Sequence, residues 1–131
     1  MIVDTSAILA IYYAEEEADA FRALIGEVAH ASMSVVSRLE SFLVVEGRNG
    51  ASAGVLLEVL YAQLPLDFVP VTLAQVAIAR PAAQAYGKGH HPAALNLGDL
   101  FSYALAMETG RPLLFKGNDF SRTDVRRALP G

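Results

Sequence analysis

The sequence contains no cysteine, so disulfide bonds and thiolate metal sites are excluded. No apolar run approaches the roughly 20 residues that a membrane-spanning helix needs. Asp4 interrupts the first apolar run, and the N-terminus shows neither a basic leader nor a small-residue cleavage site, so we expect no signal peptide. These absences favour a cytoplasmic protein.

Basic residues are scarce in the first half of the chain. Residues 1–66 carry three basic and nine acidic side chains, a balance of −6, whereas residues 67–131 carry seven and five, a balance of +2. The net charge of −4 argues against a protein whose main activity is phosphate binding. A cationic patch can nevertheless coexist with an acidic pocket, although most of these charges fit solvated helix faces.

Apolar residues are abundant for a chain of this length. The hydrophobic fraction is 53% and the mean hydropathy is +0.36. Apolar surface beyond the needs of a core usually lies in an interface, although an alanine-rich helical composition raises the same figures. The length fits a single domain, residues 1–131. We therefore expect one domain with a protein partner and a homodimer contact.

Short apolar strands alternate with amphipathic helices along the chain. This alternation implies a parallel sheet covered by helices on both faces. Pro81 is expected to kink or divide the helix that contains it. The predicted strands are 1–3, 32–36, 67–71 and 112–116, and the predicted helices are 7–13, 18–27, one that ends by Gly47, 51–64, 73–86 and 99–109.

The first two predicted helices are expected to present apolar side chains to a partner. An amphipathic helix of that partner would lie in a groove between them and the helix at 51–64, and a basic side chain, arginine in particular, would enter the acidic pocket. The apolar residues of the two helices are Ile8, Leu9, Ile11, Tyr12, Phe21, Leu24 and Ile25.

Four acidic residues fall where an open parallel sheet forms its binding crevice, beyond the carboxyl ends of the strands. Asp4 ends the first strand, and Asp119 lies just past the fourth. Glu40 lies early in the helix after the second strand, and Asp99 begins the last helix. Gathered carboxylates repel one another and therefore imply a cation. Hard oxygen ligands without cysteine point to Mg2+ or Mn2+, which can activate water against a phosphodiester.

Each acid also has a purely structural interpretation. Asp4 can cap the first helix, and Asp99 can be an N-cap. Glu40 can lie on a solvated helix face, and Asp119 can belong to a turn. The hypothesis of an acidic site fails only if all four structural interpretations are correct at once.

Two adjacent histidines, His90 and His91, lie in the predicted loop 87–92. Neighbouring side chains point in different directions, and the second half of a metal-ligand set is missing. A solvated loop is therefore predicted, with RNA contact as the alternative.

The ordered combination of four segments resembles PIN-domain proteins, in particular VapC-type toxins of bacterial toxin–antitoxin pairs. The segments are I-V-D-T-S-A, the position of Glu40, G-K-G-H-H-P-A-A-L-N-L-G-D ending at Asp99, and L-L-F-K-G-N-D-F ending at Phe120. The resemblance spans nearly the whole chain. It implies a three-layer α/β/α sandwich with a central parallel sheet and a Mg2+- or Mn2+-dependent endoribonuclease. It also implies a homodimer and inhibition by a cognate VapB-type antitoxin.

The resemblance also implies roles for individual residues. Asp4 and Asp99 match metal-binding acids, and Glu40 matches a further acid of the same pocket. Thr5 and Ser6 match the polar residues that follow the first acid and orient it.

One segment departs from the family pattern. Many relatives place Thr-x-Asp after the last strand, where this chain has Phe115-Lys116-Gly117. Asp119 is the nearby acid that can replace the missing one, which makes its role less secure. Lys116 can contact phosphate at the same edge.

Two other kinds of protein share some of these features. A receiver domain of a signalling relay has a similar sheet and acidic pocket, but the third strand here ends in Val69-Pro70-Val71 without a phospho-acceptor aspartate. A non-catalytic interaction module would keep the fold without the chemistry, and the presence of all four acids argues against it. A haloacid-dehalogenase-type phosphatase needs a second aspartate two residues after Asp4, where Ser6 stands.

Overall fold

A computed structural model describes residues 1–89 and 91–129. Within them, strands β1 to β4 and helices α1 to α6 follow one another in this order: β1 (Ile2–Val3), α1 (Thr5–Tyr12), α2 (Ala18–Glu27), β2 (Ala31–Ser34), α3 (Val35–Asn49), α4 (Ala51–Gln63), β3 (Leu66–Val69), α5 (Leu73–Tyr86), α6 (Leu97–Thr109) and β4 (Leu113–Leu114).

The four strands form one sheet in the order β3-β2-β1-β4, and every pairing is parallel. Ile2 pairs with Ser32 on one side and with Leu113 on the other. Consecutive side chains of a strand point to opposite faces. Accordingly, Ile2 and Leu113 belong to one hydrophobic cluster, whereas Val3 and Leu114 belong to another. The predicted α/β/α sandwich with a central parallel sheet is confirmed.

Both boundaries of α3 differ from the predictions because capping overrides local composition. Strand β2 ends at Ser34, two residues before its predicted end. The Ser34 hydroxyl oxygen accepts the Val36 N–H at 3.2 Å and caps α3, which begins at Val35. Helix α3 also continues beyond Gly47 and ends at Asn49, and Gly50 follows as its C-cap with a φ of 87°, which suits glycine.

Pro81 does not divide its helix, contrary to one of the two predicted outcomes. Helix α5 runs from Leu73 to Tyr86 with Pro81 inside it. Pro81 lies on the exposed face, so water can satisfy the carbonyl group that loses its N–H donor. Within the described residues, none of the helices combines the length and apolarity that crossing a membrane requires.

Exposed apolar side chains lie on α3 and α4 and not on the first two helices, where they were predicted. Four of the seven apolar residues of α1 and α2 are core residues, with Ile8 and Ile25 fully buried and Ile11 and Phe21 nearly so. The first two helices mainly use their apolar faces to cover the sheet. The large exposed apolar side chains of α3 and α4 are Val35, Leu39, Leu43, Val55, Leu56 and Val59.

Candidate active site

Asp4 lies at the carboxyl end of the central strand β1 and is 2% exposed. Its N–H extends the sheet by donating to the Leu114 carbonyl oxygen at 2.9 Å. One carboxylate oxygen, Oδ2, accepts from the Ser6 N–H at 3.0 Å and from the Ser6 hydroxyl at 2.7 Å. The other, Oδ1, accepts from the Ser102 hydroxyl at 2.5 Å. Asp4 therefore does cap α1, and these bonds also fix its carboxylate.

The two polar residues after Asp4 have different partners. The Ser6 hydroxyl accepts the Lys116 N–H at 3.0 Å while it donates to Asp4, so it links α1 to the end of β4. The Thr5 hydroxyl donates to the Ser37 carbonyl oxygen at 3.1 Å. It also lies close enough to Glu40 to lower the pKa of that carboxyl, although its single proton serves one acceptor at a time.

Asp99 lies in the first turn of α6 and is 7% exposed. The helix begins at Leu97, two residues before the predicted start, because Asn96 is its N-cap. The Asp99 N–H donates to Asn96 Oδ1 at 2.9 Å, and the Asn96 N–H donates to Asp99 Oδ2 at 3.0 Å. Asp99 is thus the partner in a capping box rather than the cap itself.

Glu40 projects from α3 toward the N-terminus of α6 and is half-buried. A Cβ atom placed on Gly98 would overlap the Glu40 carboxylate. The two helices therefore meet where α6 has no side chain, and Glu40 comes beside the turn that holds Asp99. The interpretation of Glu40 as a solvated face residue is wrong.

Asp119 lies beyond β4 and is exposed. Its negative charge nevertheless raises the pKa of Asp99, so it belongs to the electrostatic surroundings of the same pocket. Its exposure gives it more freedom to turn than the buried acids have.

Burial and mutual repulsion disfavour the charged forms of the acids. Burial raises the pKa of Asp4, and the hydrogen bonds from Ser102 and Ser6 oppose that shift. The pKa of Glu40 is raised first by burial and further by the charge of Asp4. Burial raises the pKa of Asp99 to about 7, with contributions from Asp4, Asp119 and Glu40. The structure thus brings Asp99 within electrostatic reach of the other three predicted acids.

The side chains as placed do not form a finished coordination shell. Across residues 1–89 and 91–129, no group of three or more acidic or histidine side chains is arranged so that it could hold a metal ion. Hydrogen bonds fix Asp4 and Asp99. Any closer approach must therefore come from Glu40 and Asp119.

The other polar residues singled out in the sequence have local partners. The Lys116 amino group lies 2.5 Å from Glu15 Oε2 and 3.1 Å from Glu17 Oε2, so the structure shows these ion pairs instead of a position aimed at the pocket. His91 accepts the Ala93 N–H through Nδ1 at 3.0 Å and packs its ring edge-on against Tyr86. This contact supports the loop interpretation of His91, while His90 lies outside the described residues.

Two serines of the site were missed in the sequence. Ser102 binds Asp4, and its hydroxyl lies 3.0 Å from that of Ser37. Ser102 follows Asp99 by three positions, and residues at that spacing share one face of a helix. That spacing was a usable signal for Ser102. The contact of Ser37 joins α3 to α6 and has no local sequence signal.

The fold and the site together define an α/β protein with an acidic pocket at the carboxyl edge of a parallel sheet. The family model of the PIN domain matches residues 1–126. Ribonuclease VapC30 of Mycobacterium tuberculosis is 44% identical over 131 residues, which cover 99% of this chain and 100% of that protein. Ribonuclease VapC of Mycolicibacterium smegmatis is 42% identical over 125 residues, covering 95% and 97%. The chain therefore belongs to the PIN-domain family.

Solved structures agree with this fold. VapC20 of Mycobacterium tuberculosis, a sarcin-ricin loop cleaving toxin, superposes with a TM-score of 0.77 at 17% identity and covers 98% of both chains. VapBC2 from Rickettsia felis, bound to a DNA fragment of its promoter, gives a TM-score of 0.73 at 13% identity and covers 96% of this chain and 94% of that one. At these identities the likeness shows the fold alone.

Proposed function

We propose that the protein is a divalent-metal-dependent endoribonuclease that acts as the toxin of a toxin–antitoxin pair in the cytoplasm. The observation that carries the proposal is the acidic pocket of Asp4, Glu40, Asp99 and Asp119 at the carboxyl edge of the sheet. The family relationship supports it, because the relatives compared above are named ribonucleases.

The donor set fits a hard divalent cation. The charges that act on Asp99 are those of three other acids, and each raises its pKa. A cation between them would reverse this repulsion, and oxygen ligands suit Mg2+ and Mn2+. Asp4 and Asp99 are the proposed ligands because hydrogen bonds already hold both. Glu40 and Asp119 complete the pocket by turning toward it.

The bound ion would polarise the attacking water and the phosphate oxygens. The residues of the chain supply the positioning. Asp4 and Asp99 present fixed oxygens at the carboxyl edge, and Glu40 orients the water by accepting its hydrogen bond. Single-stranded or looped RNA is the proposed substrate, because unstacked strands enter a narrow crevice more easily than a duplex does.

The proposed ribonuclease activity is testable in cells. The chain would be expressed alone and together with its antitoxin, and the ends of cellular RNA fragments would be sequenced. We expect recurring cleavage positions that appear only without the antitoxin and that disappear with Asp99→Ala. Identical fragment ends in the parent and in Asp99→Ala would contradict the proposal.

A cognate VapB-type antitoxin is the proposed partner. A cavity of about 350 Å³ lies between α1, α2 and α4, where a groove was predicted. Its rim carries Leu56 and Val59, which are 63% and 51% exposed. One solved structure of the same fold is a toxin–antitoxin complex from Klebsiella pneumoniae. An amphipathic helix of the antitoxin would cover these side chains.

The position of the groove sets what the antitoxin needs in order to reach the acids. The cavity borders Tyr12, at the opposite end of α1 from Asp4. Eight residues of helix span about 12 Å. An extended segment of about four residues covers that distance. An arginine at its end would pair with the carboxylates and compete with the metal.

A homodimer is proposed on the remaining apolar face. Val35, Leu39 and Leu43 follow one another at intervals of four along α3, and Leu39 and Leu43 are 60% and 64% exposed. Side chains at this spacing form one stripe on a helix. A second copy would bury this stripe.

One observation favours a second candidate, a PIN-like interaction module without catalysis. Among the described residues, no three acidic or histidine side chains are already arranged to hold a metal ion. A Mn2+ titration separates the two candidates, since only the nuclease should bind the ion saturably.

A further inference from the structure

Two serine side chains stand behind Asp4 in the interior. Ser102 of α6 and Ser37 of α3 are both fully buried. Ser102 Oγ lies 2.5 Å from Asp4 Oδ1, and Ser37 Oγ lies 3.0 Å from Ser102 Oγ. The three groups form one chain of hydrogen bonds that joins both helices to the end of β1.

The proton directions of this chain follow from the donors available. An ionised carboxylate only accepts, so the single hydroxyl proton of Ser102 goes to Asp4. Ser102 has no second proton for Ser37. Ser37 must therefore donate to Ser102, and this bond leaves Ser102 fixed as a donor to Asp4.

The hydrogen bonds of Asp4 leave a defined acceptor position. Each carboxylate oxygen has about two lone-pair positions. Oδ2 takes two donors, the N–H and the hydroxyl of Ser6. Oδ1 takes one donor, the hydroxyl of Ser102. The Thr5 N–H also lies near enough to lower the pKa of the Asp4 carboxyl. Among the hydrogen bonds of full geometry, the open position of Asp4 is on Oδ1, the oxygen that Ser102 holds.

Packing alone does not explain the pair. The core residues Ala104 and Leu105, which follow Ser102 in α6, are apolar. Two alanines would fill a buried helix contact without any polar group to satisfy. Asp4 explains the two hydroxyl groups, because a buried carboxylate needs hydrogen-bond donors when it is charged.

We propose that Ser102, held by Ser37, is a positioning residue that fixes the Asp4 carboxylate so that Oδ1 presents its remaining lone pair to the divalent ion. This proposal rests on the proposed function. It assigns Ser102 no contact with RNA. Loss of the Ser102 hydroxyl should weaken metal binding and leave RNA binding unchanged.

The test is Mn2+ binding by calorimetry for the parent and Ser102→Ala. Loss of a group that holds a metal ligand weakens affinity by about 10–100-fold, and we expect a value near the lower end. In RNA cleavage, kcat at limiting Mn2+ should fall while KM for RNA stays constant, and excess Mn2+ should restore most of the rate.

Ser41→Ala is the matched control. Ser41 is also a fully buried serine on a helix of the site, and its hydroxyl contacts Tyr61 and the Arg38 carbonyl oxygen instead of an acid. It should destabilise the fold without changing Mn2+ affinity. Equal losses in Ser41→Ala and Ser102→Ala would reduce the effect to general destabilisation and overturn the proposal.

Ser37→Ala provides a second variant if Ser102→Ala does not fold. It leaves the Ser102 hydroxyl in place but removes the donor that fixes it, so a smaller loss of Mn2+ affinity is expected. Unchanged Mn2+ affinity in whichever of the two variants folds would overturn this proposal. The proposed function would still stand if the parent protein cleaved RNA in a metal-dependent way. A parent that neither binds Mn2+ nor cleaves RNA would refute the proposed function itself.

Discussion

The carboxylate of Glu40 occupies the space that a side chain at Gly98 would need. The Glu40 carboxylate therefore lies directly against the turn that carries Asp99. This contact explains a glycine in the first turn of a helix, where glycine is otherwise a poor helix former. Because Gly98 has no side chain, Glu40 can reach the pocket.

Gly98→Ala should separate stability from activity. Alanine favours a helix by up to about 1 kcal/mol over glycine, and the flexible end of Glu40 can swing away to make room. We therefore expect a Tm equal to or slightly above that of the parent, with RNA cleavage reduced by at least about tenfold, the rate loss that about 1.4 kcal/mol produces. Thermal unfolding and cleavage assays measure the two effects.

Gly26→Ala is the control for this substitution, because a Cβ atom there meets nothing within 4 Å. It should leave the rate unchanged. Full activity in Gly98→Ala would show that Glu40 is not needed where the structure places it.

Asp99→Asn should stabilise the metal-free protein at neutral and alkaline pH. The pKa of Asp99 is raised from its ordinary value of 3.8 to about 7, chiefly by burial. A raised carboxyl pKa means that its contribution to stability is fully present below about pH 4 and is lost as the pH rises through 7. Asparagine keeps an acceptor for the Asn96 N–H and carries no charge.

The measurement is the Tm of Asp99→Asn minus that of the parent, in EDTA, from pH 4 to pH 8. Solvent screening discounts the effect, so we expect the difference to grow by about 3–5 °C between pH 4 and about pH 7 and to level off above it. A difference that is constant with pH would contradict the burial of a charged Asp99. Added Mn2+ should stabilise the parent and reverse the order.

Asp4→Asn should abolish tight Mn2+ binding. The substitution keeps the shape of the side chain but removes the charge that a cation needs. Calorimetry measures the affinity, and circular dichroism checks that the variant is folded. Binding as tight as that of the parent would show that Asp4 is only the cap of α1.

Leu43→Asp and Leu56→Asp should separate the two apolar surfaces. The side chains have nearly the same exposure, 64% and 63%, but lie on α3 and α4. Leu43→Asp should give a monomer that the antitoxin still inhibits. Leu56→Asp should give a dimer that escapes inhibition.

Light scattering measures dimer formation, and inhibition of RNA cleavage independently measures binding of the antitoxin. The partner counts as the antitoxin only if it both co-purifies from the native host and inhibits cleavage. A parent that runs as a fully active monomer with no bound partner would overturn both interface proposals.

The sequence was sufficient for the layers of the fold but not for the contacts inside the site. The short apolar strands and their alternation with helices predict the parallel sheet, since a strand buried on both faces needs helices on both. Val35 and Val36 suggest more strand, yet the Ser34 cap places them in α3. Asn96 and Asp99, three residues apart, carry the pattern of a capping box, so the true start of α6 was readable.

Tertiary contacts decided the remaining residues. Lys116 pairs with Glu15 and Glu17, which are about 100 residues away in sequence, and local pattern does not reveal such a pairing. The bond between Ser37 and Ser102 likewise depends on the approach of α3 to α6. By contrast, the acids at strand ends were predictable because strand topology alone brings them to one edge.

RNA cleavage by the purified protein, measured with Mn2+, after excess EDTA and after Mn2+ is restored, tests the central claim most directly. The parent should cleave total cellular RNA with Mn2+, lose activity in EDTA and regain it with the metal, and Asp99→Ala should stay inactive throughout while Ser41→Ala behaves as the parent does. Cleavage that persists in excess EDTA, or in Asp99→Ala, would contradict a metal-dependent nuclease built on these four acids.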